Sequence, residues 1–203
     1  MNAELTKYMQ ITIGIVLVNN IVLSQFLGIC PFLGVSKKLK TALGMCGAVI
    51  FVMTLASLVT SCITKYVLTK TFSYGQESIN FKFLQILVFI VVIASLVQLV
   101  EISLKKLSPS LYSALGIYLP LITTNCAVMG IATTNAKMHL TIMESTVHGF
   151  FGGISFALAL ILFSSLRERL DLANVPKPFQ GTAIALITGG LLAMAFQGFS
   201  GLV

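Results

Sequence analysis

The sequence predicts an all-α integral membrane protein, with six transmembrane helices arranged as two inverted three-helix repeats and the first and fourth helices broken near Cys30 and Cys126. Three observations carry this prediction. Charged residues make up 9% of the chain, against roughly 25% in soluble domains, and the mean hydropathy is +0.98. The few charges fall in short clusters that leave six long apolar stretches. A single offset lays the first three stretches over the last three, carrying Cys30 onto Cys126, Gly34 onto Gly130 and Phe83 onto Phe179. Letter identity between the halves is poor, so the repeat is a pattern of segments. A three-helix unit used twice returns upside down, the plan of many transporters, in which paired interrupted segments mark a site near the midplane.

The first stretch, residues 8–36, follows an N-terminus without a basic region or a small-residue cleavage site, and so reads as a retained span. It holds Asn19-Asn20 and Ser24-Gln25, polar groups that must face protein or a cavity, either as glue between helices or as substrate ligands. It then runs Phe26-Leu-Gly28-Ile-Cys30-Pro31-Phe-Leu-Gly34, a thiol among helix breakers. The second stretch, 41–64, is uninterrupted, and its Gly44-Met-Cys46-Gly47-Ala48 run suits close packing. The third, 83–100, just reaches the ~20 residues a spanning helix needs if residues 101–104 extend it. After 107–136, which contains Thr123-Thr124-Asn125-Cys126-Ala-Val-Met-Gly130, come 145–166 and 178–203. Glu144 and His148, four apart at the start of the fifth, read as an interfacial hydrogen-bonded pair or a proton relay. The whole chain, 1–203, is one membrane domain, with repeats over about 8–104 and 107–203, and residues 71–80 form a plain outer loop.

Orientation follows from the loops. With six spans, Lys7, Lys65, Lys70, Lys82 and Lys137 fall on one side. Lys37, Lys38, Lys40, Lys105, Lys106, Arg167, Arg169 and Lys177 fall on the other, in tighter clusters. The positive-inside bias puts the second set in the cytoplasm and both termini outside. The net charge of +7 is spread through these loops, which makes it an orientation signal and excludes a nucleic-acid footprint.

The chemistry sits at the two breaks. Non-helical backbone at membrane depth survives only when buried in protein or lining a site, and thiolate is the ligand iron–sulfur clusters use. Continuous helices would carry Cys30 and Cys126 to opposite faces, whereas broken helices let the thiols approach one another. Four cysteines would make a full ligand set, but Cys46 and Cys62 are sixteen positions apart on one helix, ~24 Å, so they cannot share a cluster. Both read as buried structural thiols. The chain therefore offers two ligands, and a cluster would need two more from a second protein. Amides freed at Gly28, Gly34, Asn125 and Gly130 are candidate hydrogen-bond donors to cluster sulfurs. Zinc-ligand spacings, phosphate loops, nucleophile elbows and dinucleotide fingerprints are absent from the sequence.

The run from Leu17-Val-Asn19-Asn20 through Cys30-Pro31 to Lys38, together with Leu119-Pro-Leu-Ile-Thr-Thr-Asn-Cys126-Ala-Val-Met-Gly130, Arg167-Glu-Arg-Leu170, Val175-Pro-Lys-Pro178 and Phe199-Ser-Gly-Leu-Val203, resembles the A-type subunits of the bacterial Rnf electron-transport complex. The E-type subunits of the sodium-pumping NADH:quinone reductase are close in pattern, and Asn19-Asn20 with Cys30-Pro31 favour the Rnf side. The resemblance covers essentially the whole chain. It implies a multi-pass subunit of the bacterial cytoplasmic membrane in a ferredoxin:NAD oxidoreductase that moves sodium or protons, and one not catalytic alone. It implies that Cys30 and Cys126 ligate a [2Fe–2S] cluster shared with a paralogous E-like subunit, with no flavin on this chain. The remaining Rnf subunits and the bilayer would be its other partners, and nucleic acid would not. Two rival readings stay open on the residues alone. One is a six-helix secondary transporter or channel subunit that binds substrate or sodium through Asn19, Gln25 and Asn125. The other is a scaffold whose cysteines only pack.

Overall fold

A computed structural model describes residues 12–68, 82–107, 121–122, 124–173 and 176–199. Every regular element among them is helical: α1 (Ile29–Val35), α2 (Leu39–Ile63), α3 (Lys82–Leu107), α4 (Cys126–Lys137), α5 (Ile142–Asp171) and α6 (Thr182–Gln197). Short π-helical turns at Gly14–Val18 and Thr64–Leu68 and a 3-10 turn at Lys177–Phe179 complete the set. Among the described residues three helices are long and apolar enough to cross a membrane: Leu39–Tyr66 with 28 residues, Gln85–Ser103 with 19 and Ile142–Asp171 with 30. α6 is apolar but has 16 residues. In the first expected span the described helix is interrupted over residues 19–28, the fourth is described as a helix from Cys126 onward, and parts of both, with the expected outer loop, lie outside the described residues.

The fold is organised on α2 and α5. Methionine, valine and alanine side chains of α2 (Met45, Val49, Met53, Ala56) are buried with Phe156, Leu160 and Phe163 of α5. Close approach comes from Gly149 and Gly153, one turn apart on α5. A Cβ on Gly153 would lie 2.8 Å from the Ile50 backbone, and one on Gly149 would strike the Ser57 side chain and sit 2.9 Å from the Met53 carbonyl. Small residues at this spacing let membrane helices touch by backbone, where packing replaces the hydrophobic drive of water. α5 starts at a capping box: Thr141 accepts from the Glu144 amide while the Glu144 carboxylate accepts from the Thr141 N–H at 3.0 Å. By contrast, among its described side chains α3 buries only the stripe Phe89, Ile93 and Val97, leaving Ile86, Ile90, Val91 and Leu99 exposed.

Residues 19–28 are non-helical, and Asn20 explains how they persist. Asn20 is fully buried. Its Oδ1 accepts from the amides of Val22 (3.1 Å) and Leu23 (3.2 Å), and its Nδ2 donates to the Ser155 carbonyl (3.0 Å) and the Val16 carbonyl (3.4 Å). The Ile21 N–H donates to Ser155 Oγ, and the Asn20 carbonyl accepts from Ser24 at 2.9 Å. The unwound backbone thus finds inside the protein the partners that lipid would deny it. Of the two readings of this polar pair, Asn20 takes the role of glue between the first segment and α5.

Candidate functional site

The two sequence breaks come together in space. α1 is launched from Gly28, whose φ of +80° lies in the left-handed region open to glycine. α4 is launched from Asn125, whose extended backbone turns into the helix as its Oδ1 accepts from the Ala127 N–H at 3.0 Å. The Gly28 N–H donates to Cys126 Sγ at 2.9 Å. A Cβ on Gly28 would stand 2.9 Å from Phe156 Cε2, and 3.2 Å from both Ala127 Cβ and Asn125 Oδ1. Helix starts α1 and α4 therefore meet at Gly28, over the Phe156 ring of α5. Cys126 is the first residue of α4 and Cys30 the second of α1, and both are exposed. Beside them the Asn125 Nδ2 is buried without a partner among the described residues.

Of the six residues singled out in the sequence, Gly28, Cys30, Asn125 and Cys126 gather here. Gly130 lies within α4, where the Leu27 side chain occupies the space a Cβ would need. Gly34 lies inside α1, with Leu121 3.8 Å from its would-be Cβ. Cys46 is buried and its thiol donates to the Ala157 carbonyl at 3.7 Å, while Cys62 is half-buried in the last turn of α2.

The far end of α1 is clamped by α5. Arg167 Nη1 donates to the Leu33 carbonyl at 2.8 Å and to Ser36 Oγ at 2.9 Å. Ser164 Oγ donates to the Ser36 carbonyl at 3.1 Å, and the Phe32 ring stacks on Phe163 with centroids 4.2 Å apart. On the sequence alone Arg167 is an orientation charge, and nothing local marks a side chain that caps a helix more than a hundred residues away. The Glu144 carboxylate is engaged by Thr141, and His148 Nδ1 is buried without a partner among the described residues. The Thr141-Ile-Met-Glu144 spacing ahead of an apolar run was the available signal for that cap.

Chemically the arrangement presents two free thiols at adjoining helix starts. Among the described residues no three or more His, Cys, Asp or Glu side chains gather to hold an ion. Two exposed thiols at adjoining helix starts, one already receiving a backbone N–H, suit a cluster completed by another chain. A separate cavity of about 480 Å³ lies between residues 18–26 and α6, lined by Asn19, Ser24 and Gln197 among apolar groups. Gln25 and Asn125 are not in its lining, so the polar residues of the transporter reading do not converge there.

Residues 8–203 match the family described as "Rnf-Nqr subunit, membrane protein". Curated relatives resemble the chain along nearly all its length. A protein of Pseudoalteromonas translucida, named as the A component of an ion-translocating oxidoreductase complex, is 51% identical over 199 residues, covering 98% of this chain and 99% of the relative. Proteins of the same name from Edwardsiella ictaluri and Vibrio vulnificus are each 50% identical over 199 residues, covering 98% of this chain and 99% and 100% of their own lengths.

Proposed function

Because the chain belongs to the Rnf-Nqr family of membrane-protein subunits, we propose that it is the A-type component of an ion-translocating ferredoxin:NAD oxidoreductase, carrying electrons within the membrane and performing no catalysis alone. Full-length relatives named as the A component of ion-translocating oxidoreductase complexes support this. In this reading Cys30 and Cys126 supply two of the four thiolates of a [2Fe–2S] cluster, and a paralogous E-type subunit supplies the other two. The remaining subunits complete the complex in the bacterial inner membrane, with the termini of this chain outside. The coupled ion is sodium or a proton.

The observation that carries the proposal is the 2.9 Å hydrogen bond from the Gly28 N–H to Cys126 Sγ. It joins two cysteine-bearing helix starts that lie far apart in sequence. Bound there, the cluster would supply one-electron transfer at membrane depth. The chain's own groups set its surroundings. The Gly28 amide directs positive charge at the sulfur, a lever on potential. Ala127 and the Phe156 ring, both fully buried, pack against Gly28 on the inner side. The Asn125 Nδ2, without a partner among the described residues, is a second amide donor on the residue that precedes Cys126.

The test is an EPR spectrum of the dithionite-reduced complex, purified with all its subunits, for wild type and Cys126→Ser. We expect one [2Fe–2S] signal to vanish while other iron signals stay. An unchanged spectrum returns Cys126 to a packing role and sinks the proposal.

A further inference from the structure

Five buried side-chain polar atoms lack a partner among the described residues, and four belong to one corner of the molecule: Ser57 Oγ on α2, Asn135 Oδ1 on α4, and Ser145 Oγ and His148 Nδ1 on α5. They are contiguous. The Asn135 Nδ2 donates to the Ser145 carbonyl at 3.3 Å, and Ser57 fills the space beside Gly149, next to His148. Asn135 lies nine positions beyond Cys126 on α4, ~14 Å along the helix, so this corner is separate from the cysteine site. Burying polar groups without partners costs ~1–3 kcal/mol each, and of the four it is Asn135 and Ser145 that open onto a cavity where a ligand could meet them.

Asn135 and Ser145, 4% and 1% exposed, line an open cavity of about 240 Å³ between the end of α2 and the turn from α4 to α5. Lys65, Ser61, His139 and Ile142, the first residue of α5, line it too, and among the described residues no acidic one does. The nearby Glu144 carboxylate accepts from the Thr141 N–H and hydroxyl at 3.0 and 2.9 Å and so is turned into the helix cap. The cavity therefore offers a cation and hydroxyl donors, which favour an anion. It also offers one unpaired acceptor, Asn135 Oδ1, which a bare anion would leave unsatisfied. It sits at the end of the 28-residue apolar helix Leu39–Tyr66, where a membrane gives way to water.

We propose that this cavity binds a phosphate group bearing a neighbouring hydroxyl, the chemistry shared by the phosphoglycerol headgroup of an anionic phospholipid and by free hydrogen phosphate. Lys65 and the Ser145 hydroxyl hold phosphate oxygens, and the hydroxyl of the ligand donates to Asn135 Oδ1.

The test is native mass spectrometry of the purified, delipidated complex titrated with phosphatidylglycerol, phosphatidylcholine or inorganic phosphate. We expect this chain to be released with one phosphatidylglycerol and no phosphatidylcholine. Lys65→Gln and Ser145→Ala should each weaken retention about tenfold, the loss of one charge-assisted or buried hydrogen bond, and Lys65→Arg should restore it. Both loss variants are small, and Lys65 is exposed, so thermal melting of the complex should stay near wild type. Binding of inorganic phosphate but not lipid, with the same sensitivity to both variants, makes the free anion the source. Binding of neither probe, or retention equal in wild type and variants, overturns the site.

Discussion

Asn20 is the residue on which the unwound first segment depends. Replacing it by alanine removes partners from two amides and the Ser155 carbonyl at once, all in a dry interior. We expect Asn20→Ala to cost about 2–4 kcal/mol, read as a lower melting temperature of the purified complex, with Ser155→Ala costing less. That such a pair must face protein was legible in the sequence, because lipid cannot satisfy an amide. Which of the two asparagines would be buried was not, since that depends on where α5 passes. Gly28 has the same history. Beside Cys30-Pro31 it announced a helix break, but the hydrogen bond it donates to Cys126 appears only once α1 and α4 are folded together. Gly28→Ala should abolish the Cys126-dependent EPR signal, because alanine is strained at φ +80° and its methyl would press on Phe156.

At the scale of elements, α1 has seven residues, too few to persist as an isolated helix. It exists because α5 grips its end through Arg167, Ser164 and Phe163. Arg167→Ala removes the 2.8 Å donor of the Leu33 carbonyl and leaves it the longer, 3.4 Å bond from Ser36 Oγ. It should reduce the Cys30-dependent cluster signal several-fold, while Arg167→Lys, which can still reach one carbonyl, should retain most of it; spin quantitation of the same EPR signal decides. The sequence placed α2, α3 and α5 well, because uninterrupted apolar runs between charges are a strong signal. It ended the fifth span before Arg167, whereas α5 continues to Asp171. Charge marks where the apolar run stops, while helix geometry carries on into the interface, where long basic side chains keep their heads in water.

For the molecule as a whole, the exposed apolar faces of α3 and α6 and the exposed Cys30 and Cys126 belong to one picture, a protein finished by its surroundings. Maleimide should label Cys30 and Cys126 in the separated chain and spare both in the intact complex, with Cys46 unlabelled in either. Equal labelling of Cys30 and Cys126 in the two preparations would argue against a shared interface. The pairing of the two cysteine segments was legible as a repeated offset, and their meeting required only that both helices break. The grip on residues 20–36 comes from residues 155–167, which are synthesised long afterwards; the Arg167 bond to Leu33 closes a separation of 134 positions. During biogenesis the first segment therefore leaves the ribosome with no partner for its open turn. Insertion has to hold that turn in the translocon, or leave it wet at the membrane surface, until the fifth segment arrives. A chain truncated before α5 should consequently be recognised and degraded by membrane quality control, even though it carries every residue of α1.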